Sequence, residues 1–366
     1  MTVMLPYNAY IDTTKLGRLF DNMSESYKIF WFQAIVNKVN EGNIVISYDS
    51  LINEMIANAW YMVSEYKLNL GPSDSLEKVI NITFDKIGLK SCEKKESIIN
   101  CLDKSNLLEL NEIKKILIIN VPYRLQSPFL ADIKGTDWNK KGLVERINNH
   151  EGLIYYFESI NGLNSTIRVN EKFAEYVKKN YEIVCGWIRL NLVEYLQRRN
   201  PSVPGIVNKI DPPLVRNMHK VKKYWKEIIK QSGIHEIYND EIISDKAISI
   251  DHFIPWSYVA HDELWNLTPT TRSINSSKSN NLPDWNKYFE KLCNSEYTAY
   301  QLSHQNDLIR TLFDECCKEH VNDTDVFNKL YIEGLTQTEF HNRLKEIVLP
   351  LYNAAYNLGF REWKTK

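Results

Sequence analysis

The stretch AISIDHFIPWSYVAHDELWNLTPTTRSINSSKSNNLP, residues 247–283, leaves this chain few ways to fold. It opens on a short β-run, Ala247–Ile250, that delivers Asp251 and His252 side by side at a strand end. Apolar Phe253, Ile254 and Pro255 lead into a loop of about ten residues. Asn266 and Leu267 then open a second strand, Leu267–Thr271, and a short helix from near Ser273 carries Asn275 and Lys278. Three residues apart, these two share a helical face. Strand, loop, strand and helix thus bring an acid, an imidazole, two amides and an ammonium toward one place.

A carboxylate beside an imidazole is a natural pairing of hard metal ligand and general base. Hydrolysis of a phosphodiester needs an activated water, a cation on the phosphate, neutralisation of transition-state charge and stabilisation of the leaving oxygen. His252, if neutral near pH 7, can take the proton from water. Asp251 and the amide oxygen of Asn275 can hold one Mg²⁺, with waters and phosphate oxygens completing its octahedron. Lys278 is expected at the phosphate flanking the cut and Arg272 on the transition-state charge. Asn266 is expected to bond backbone groups, holding the loop and the histidine.

The pattern D-H-x-x-P-x-S, then W-N-L, then S-x-N-x-x-K-S-x-N-x-P resembles the HNH endonuclease superfamily. Within it, the layout is most similar to the HNH nuclease domain of the RNA-guided type II CRISPR effectors. The likeness spans about 40 of the 366 residues. It implies a ββα-metal fold that cuts DNA with Mg²⁺ or Mn²⁺ and leaves a 5′-phosphate. It also implies His252 as general base, Asp251 and Asn275 on the metal, and Asn266 as the central asparagine. The chain departs from zinc-stapled members: where cysteine pairs would stand it has only QSGIHEIY, residues 231–238, so packing must hold the fold there and no structural zinc is expected. Nothing resembles the RuvC-like nuclease, guide-binding lobe or arginine-rich bridge helix of the CRISPR effectors, and an RNA-guided enzyme is not inferred.

Elsewhere the chain reads as mainly α. Residues 1–200 are expected to form a mainly helical domain. Tyr27, Phe30, Trp31, Ala34, Ile35 and Val39 make one apolar face behind a possible N-cap at Ser24. Similar patterns run through Leu51–Tyr66, Leu76–Ile87 behind Ser73, and Glu96–Leu102. The β-branched run EIKKILIINVPY, residues 112–123, suggests a buried strand, as do Leu153–Phe157 and Ser165–Val169. A long helix is expected from Glu171 to Arg199. RNPSVPG and DPP then mark residues 201–213 as a linker, with the nuclease domain and its trailing helices over 214–366.

After the linker, VRNMHKVKKYWKEIIK forms a basic amphipathic helix whose Arg216, Lys220 and Lys223, with Lys278, are candidate nucleic-acid contacts. Its Val221, Tyr224, Trp225 and Ile228 face inward, and Trp256, Trp265 and Trp285 are read as core. Helices follow over 285–292, 302–319, 325–332 and 339–356. The formal net charge of −1 is unusual for a nucleic-acid binder, so a local patch or a partner must supply the grip. That points to a protein partner or activator acting through residues 1–200. A role in restriction or anti-phage defence is expected by association with proteins of similar build, and a homo-oligomer would let both strands be cut. RNA as substrate, and a non-catalytic binding or scaffold role, stay open. The six cysteines form no C-x-x-C pair, and only Cys317 has a histidine, His320, at ligand-like spacing. With no apolar stretch long enough for a bilayer and a start, MTVMLPYNAY, unlike a signal peptide, a cytoplasmic protein without membrane contact is expected.

Overall fold

The computed structural model describes residues 5–21, 23–105, 107–212, 216–244 and 248–364. Ala247 at the start of the expected β-run, Pro213 at the linker end and Val215 at the head of the basic helix lie outside them. The chain is mostly helical with two small antiparallel sheets, and it divides into two compact units. The first comprises Met1–Pro201 with Ile210–Pro212, the second Ser202–Lys209 with Pro213–Lys366.

In the first unit the helices Tyr27–Asn40 and Tyr48–Ser64 carry much of the core, burying Phe30, Trp31, Phe32, Met55 and Trp60. The helix Ser75–Ile87 starts on Asp74, whose carboxylate accepts from the Leu76 and Glu77 amides, and not on Ser73. Tyr27–Asn40 starts from Ser26, without a side-chain cap, and not from Ser24. A three-stranded sheet, β1 (Val45–Ser47), β2 (Tyr155–Ser159) and β3 (Thr166–Val169), has the order β1-β3-β2. β2 and β3 answer two expected strands, whereas β1 has only three residues and offers no alternation to read.

The expected strand over 112–123 is instead helical: residues 121–123 belong to the short helix Val121–Arg124, and 112–117 to the helix Leu108–Leu117. Its buried positions, Leu110, Lys114 and Leu117, have helical spacing, and Lys114 pairs with Asp49 at 2.9 Å. Ile116 and Ile119 are exposed, so alternate β-branched positions of the run do not line one buried face. The long helix expected over 171–199 breaks at Asn180 into Glu171–Lys179 and Tyr181–Arg199. There the Asn180 side chain turns back to the Tyr176 carbonyl, a local bond that competes with continuing the helix.

In the second unit, β4 (Ile248–His252) pairs with β5 (Leu267–Thr271), with Asp251 opposite Thr268 and His252 opposite Leu267. The helix Arg272–Lys278 follows at once, capped by the Thr271 hydroxyl. The helix His219–Ser232 buries Val221, Tyr224, Trp225 and Ile228, and the Trp225 indole donates to the Leu267 carbonyl at 2.9 Å. Trp285–Gln305, Asp307–His320, Thr324–Leu330 and Gln337–Asn357 complete the unit. The helix expected from 302 to 319 is two, because Asn306 caps the Leu308 and Ile309 amides. Residues 202–209, expected as linker, pack within this unit: Tyr258 donates to the Ser202 carbonyl at 2.9 Å and accepts Lys209 on its own carbonyl. Among the described residues no helix is long and apolar enough to cross a membrane.

Candidate active site

β4 ends with Asp251 and His252 both buried, and the loop that follows is fixed by Asn266. The Asn266 amide oxygen accepts from the Ile254 N–H at 2.7 Å, and its nitrogen donates to the Ile254 carbonyl at 2.9 Å. Its own carbonyl accepts from the Phe253 N–H at 2.9 Å. One buried amide thus satisfies both backbone groups of a residue two places beyond His252, which sets where the histidine leaves the strand.

Asp251, His252 and Asn275 line one cavity of about 260 Å³, together with Arg216 and Trp256. Asn275 reaches it from the helix Arg272–Lys278. Its amide nitrogen donates to Ser249 Oγ at 2.9 Å and to the Ile250 carbonyl at 2.8 Å, and among the described residues no hydrogen bond engages its oxygen. The Asp251 carboxylate accepts from the Tyr238 hydroxyl at 2.6 Å, and Lys278 Nζ stands 3.1 Å and 3.3 Å from its two oxygens.

Lys278 is not at the surface, where a flanking phosphate would lie. It is fully buried, its ammonium also donating to the His252 carbonyl at 2.7 Å, and burial pulls its pKa down despite Asp251. Arg272 is exposed at the helix start and does not line the cavity. Of the basic helix, Lys220 is paired with Glu319 and Lys223 is exposed. Arg216, which precedes that helix, does reach the cavity: its guanidinium lies 4.8 Å from the Trp256 ring centroid. Trp256 therefore lines the site, while Trp265 is core and Trp285 stacks on Phe289 at its edge.

His252 Nε2 lies 2.7 Å from Asp262 Oδ1, and Arg216 Nη1 lies 3.2 Å from that same oxygen. The same Nη1 is 3.2 Å from His252 Nε2 and 3.4 Å from Nδ1. Burial holds the histidine pKa below its ordinary value; the Asp262 contact opposes this and the Arg216 charge reinforces it. For Asp262, burial pushes the carboxyl up but is outweighed by the His252 hydrogen bond and the neighbouring Arg216. Both shifts favour a neutral imidazole beside an ionised carboxylate at neutral pH.

Sequence reasoning passed over Asp262 and Tyr238. Asp262 stands among the ionisable residues His261, Asp262 and Glu263 with no periodicity, and only closure of the hairpin returns it to the strand end. Tyr238 belongs to the segment where zinc-binding cysteines were missing. Glu236 organises that segment: its carboxylate accepts the Tyr238 and Asn239 amides at 2.8 Å each and the Thr270 hydroxyl at 2.7 Å, tying it to β5. His320, three residues after Cys317, is 2.8 Å from the Asp262 carbonyl through Nδ1. Among the described residues no three His, Cys, Asp or Glu side chains are grouped to hold a metal ion.

Residues 234–284 match the profile of the HNH endonuclease family, and the C-terminal half carries an HNH domain. The match supports the superfamily without singling out the type II CRISPR effectors. No curated protein and no solved structure matches the chain.

Proposed function

We propose that the HNH domain of this chain is a divalent-metal-dependent endonuclease that cuts DNA, with His252 as its general base. The observation that carries this reading is the convergence of Asp251, His252 and the Asn275 amide on one cavity. The residues present suit a hard cation. Asp251 and the Asn275 oxygen are both oxygen donors, and a cation bound there would share the Asp251 carboxylate with the Lys278 ammonium. Asp251 and Asn275 would hold Mg²⁺ or Mn²⁺ there. When bound, such an ion supplies Lewis-acid stabilisation of the charge that builds on the phosphate oxygens.

The chain's own groups do the rest. A water O–H gives its proton to His252, its oxygen bonds to phosphorus, the P–O3′ bond breaks, and the leaving oxygen takes a proton from solvent. Asn266 would keep the base at the strand end, and Arg216, a cation at the cavity wall, would meet a phosphate. With a formal net charge of −1, long-range attraction to DNA is weak. That favours targeting or activation by a partner through the first unit, as restriction or anti-phage defence would require.

Plasmid cleavage by the purified protein with Mg²⁺, Mn²⁺ or EDTA tests the reading, alongside His252→Ala and matched single- and double-stranded DNA and RNA. We expect metal-dependent DNA cutting that falls by about 10²-fold or more in a folded His252→Ala variant. Equal cutting by both proteins would remove His252 from the reaction, and preferential cutting of RNA would change the substrate.

A further inference from the structure

We propose that Asp262 is a positioning residue for His252: its carboxylate accepts the hydrogen on Nε2, leaving the lone pair of Nδ1 for the attacking water. This rests on reading His252 as the general base. The bond, 2.7 Å from Nε2 to Oδ1, joins two residues ten places apart at the two ends of a loop. An ionised carboxylate can only accept, so the shared hydrogen belongs to the imidazole. A neutral imidazole has one N–H, and with it on Nε2 the basic nitrogen is Nδ1, where the attacking water would replace the 3.4 Å contact from Arg216 Nη1.

Asp262 is itself held from outside the strand–loop–strand motif. The His320 ring meets its carbonyl at 2.8 Å from the end of the helix Asp307–His320. The adjacent Glu263 carboxylate accepts from the Asn322 backbone and side-chain amides at 3.2 Å and 2.8 Å. Within the loop, the turn Trp256–Val259 closes on Ala260 at a left-handed φ of 57°, so the chain reverses just before Asp262. Arg216 then lies 3.2 Å from the Asp262 carboxylate, on the oxygen that also meets the ring. A carboxylate anchored in this way costs little reorganisation when the imidazole becomes charged. When water gives its proton to Nδ1, the positive ring stays bonded to Asp262, which is not itself protonated.

The test uses full-length protein with ¹⁵N-labelled histidine at pH 8, with the His252 signals assigned by their loss in His252→Gln. Wild type should show the Nε2–H tautomer, and Asp262→Asn and Asp262→Ala should shift it toward Nδ1–H or a mixture. An unchanged tautomer in both variants overturns the proposal, whether or not DNA is cut. In cleavage, Asp262→Asn should lower kcat by roughly 10- to 100-fold with KM little changed, but by less than about 2-fold in a His252→Ala background. Equal losses in the two backgrounds would mean that Asp262 acts independently of His252. Absence of metal-dependent cutting by wild type would instead sink the nuclease reading, with the tautomer still deciding what Asp262 does.

Discussion

A buried ammonium is tolerated only where its charge is met, and Lys278 meets it inside the domain, against Asp251 and the His252 carbonyl. The same contact has a converse: without Lys278, the buried Asp251 carboxylate keeps, among the described residues, only the Tyr238 hydroxyl as a side-chain hydrogen-bond donor. Lys278→Met should therefore cost about 3–5 kcal/mol in EDTA, read by chemical denaturation. If Asp251 is a metal ligand, Mg²⁺ should restore part of that loss and stabilise the variant more than the wild type. The same Mg²⁺ response in both proteins would argue that Asp251 does not bind the ion. This readout needs no activity, so it tests the metal assignment apart from the chemistry.

At the scale of elements, the hairpin β4–β5 and its following helix were readable because each carries its own local signal. β-branched runs, a strand-end polar pair and a threonine cap need no distant partner. The helix Trp285–Gln305 shows the opposite case. Its Glu296 is buried, one carboxylate oxygen has no hydrogen-bond partner among the described residues, and burial raises its pKa well above 4.5. Above pH 4.5 the unfolded chain loses this proton while the folded chain keeps it. Stability is thus full below that pH and declines as pH rises toward the folded pKa, by up to about 1.4 kcal/mol per pH unit. Glu296→Gln should remove that slope, so urea unfolding at pH 5, 6 and 7 should show the variant gaining on wild type. Parallel curves would mean that Glu296 titrates normally.

For the whole molecule, the division between units follows packing more than punctuation. The prolines and glycine of 199–205 look like a flexible connector, yet Ser202 and Lys209 both bond Tyr258, and Gly205 sits against Ala260. A Cβ on Gly205 would come within 3.1 Å of the Ala260 side chain, and its φ of 62° favours glycine as well. A fragment starting at Ser202 should therefore be more stable than one starting at residue 214, by about 1–3 kcal/mol, because the shorter one leaves buried Tyr258 polar groups unpartnered. Thermal melts of the two fragments measure this. Equal melting temperatures would show that residues 202–209 add nothing to the unit.

The sequence by itself determined the mostly helical class, the hairpin and helix of the HNH module, and the identity of Asp251, His252, Asn266 and Asn275 as its candidate polar set. Each follows from periodicity, capping chemistry or a spaced motif, all of which act over a few residues. Tertiary structure alone decided which charges meet. It turned Lys278 inward, left Arg272 outside the cavity, brought Arg216 to the cavity wall and set Asp262 on the histidine. It also made a helix of 112–117, where burial of Leu110, Lys114 and Leu117 overrode β propensity. Those outcomes depend on burial and on partners tens of residues away, and a side chain's energy in water carries no information about either.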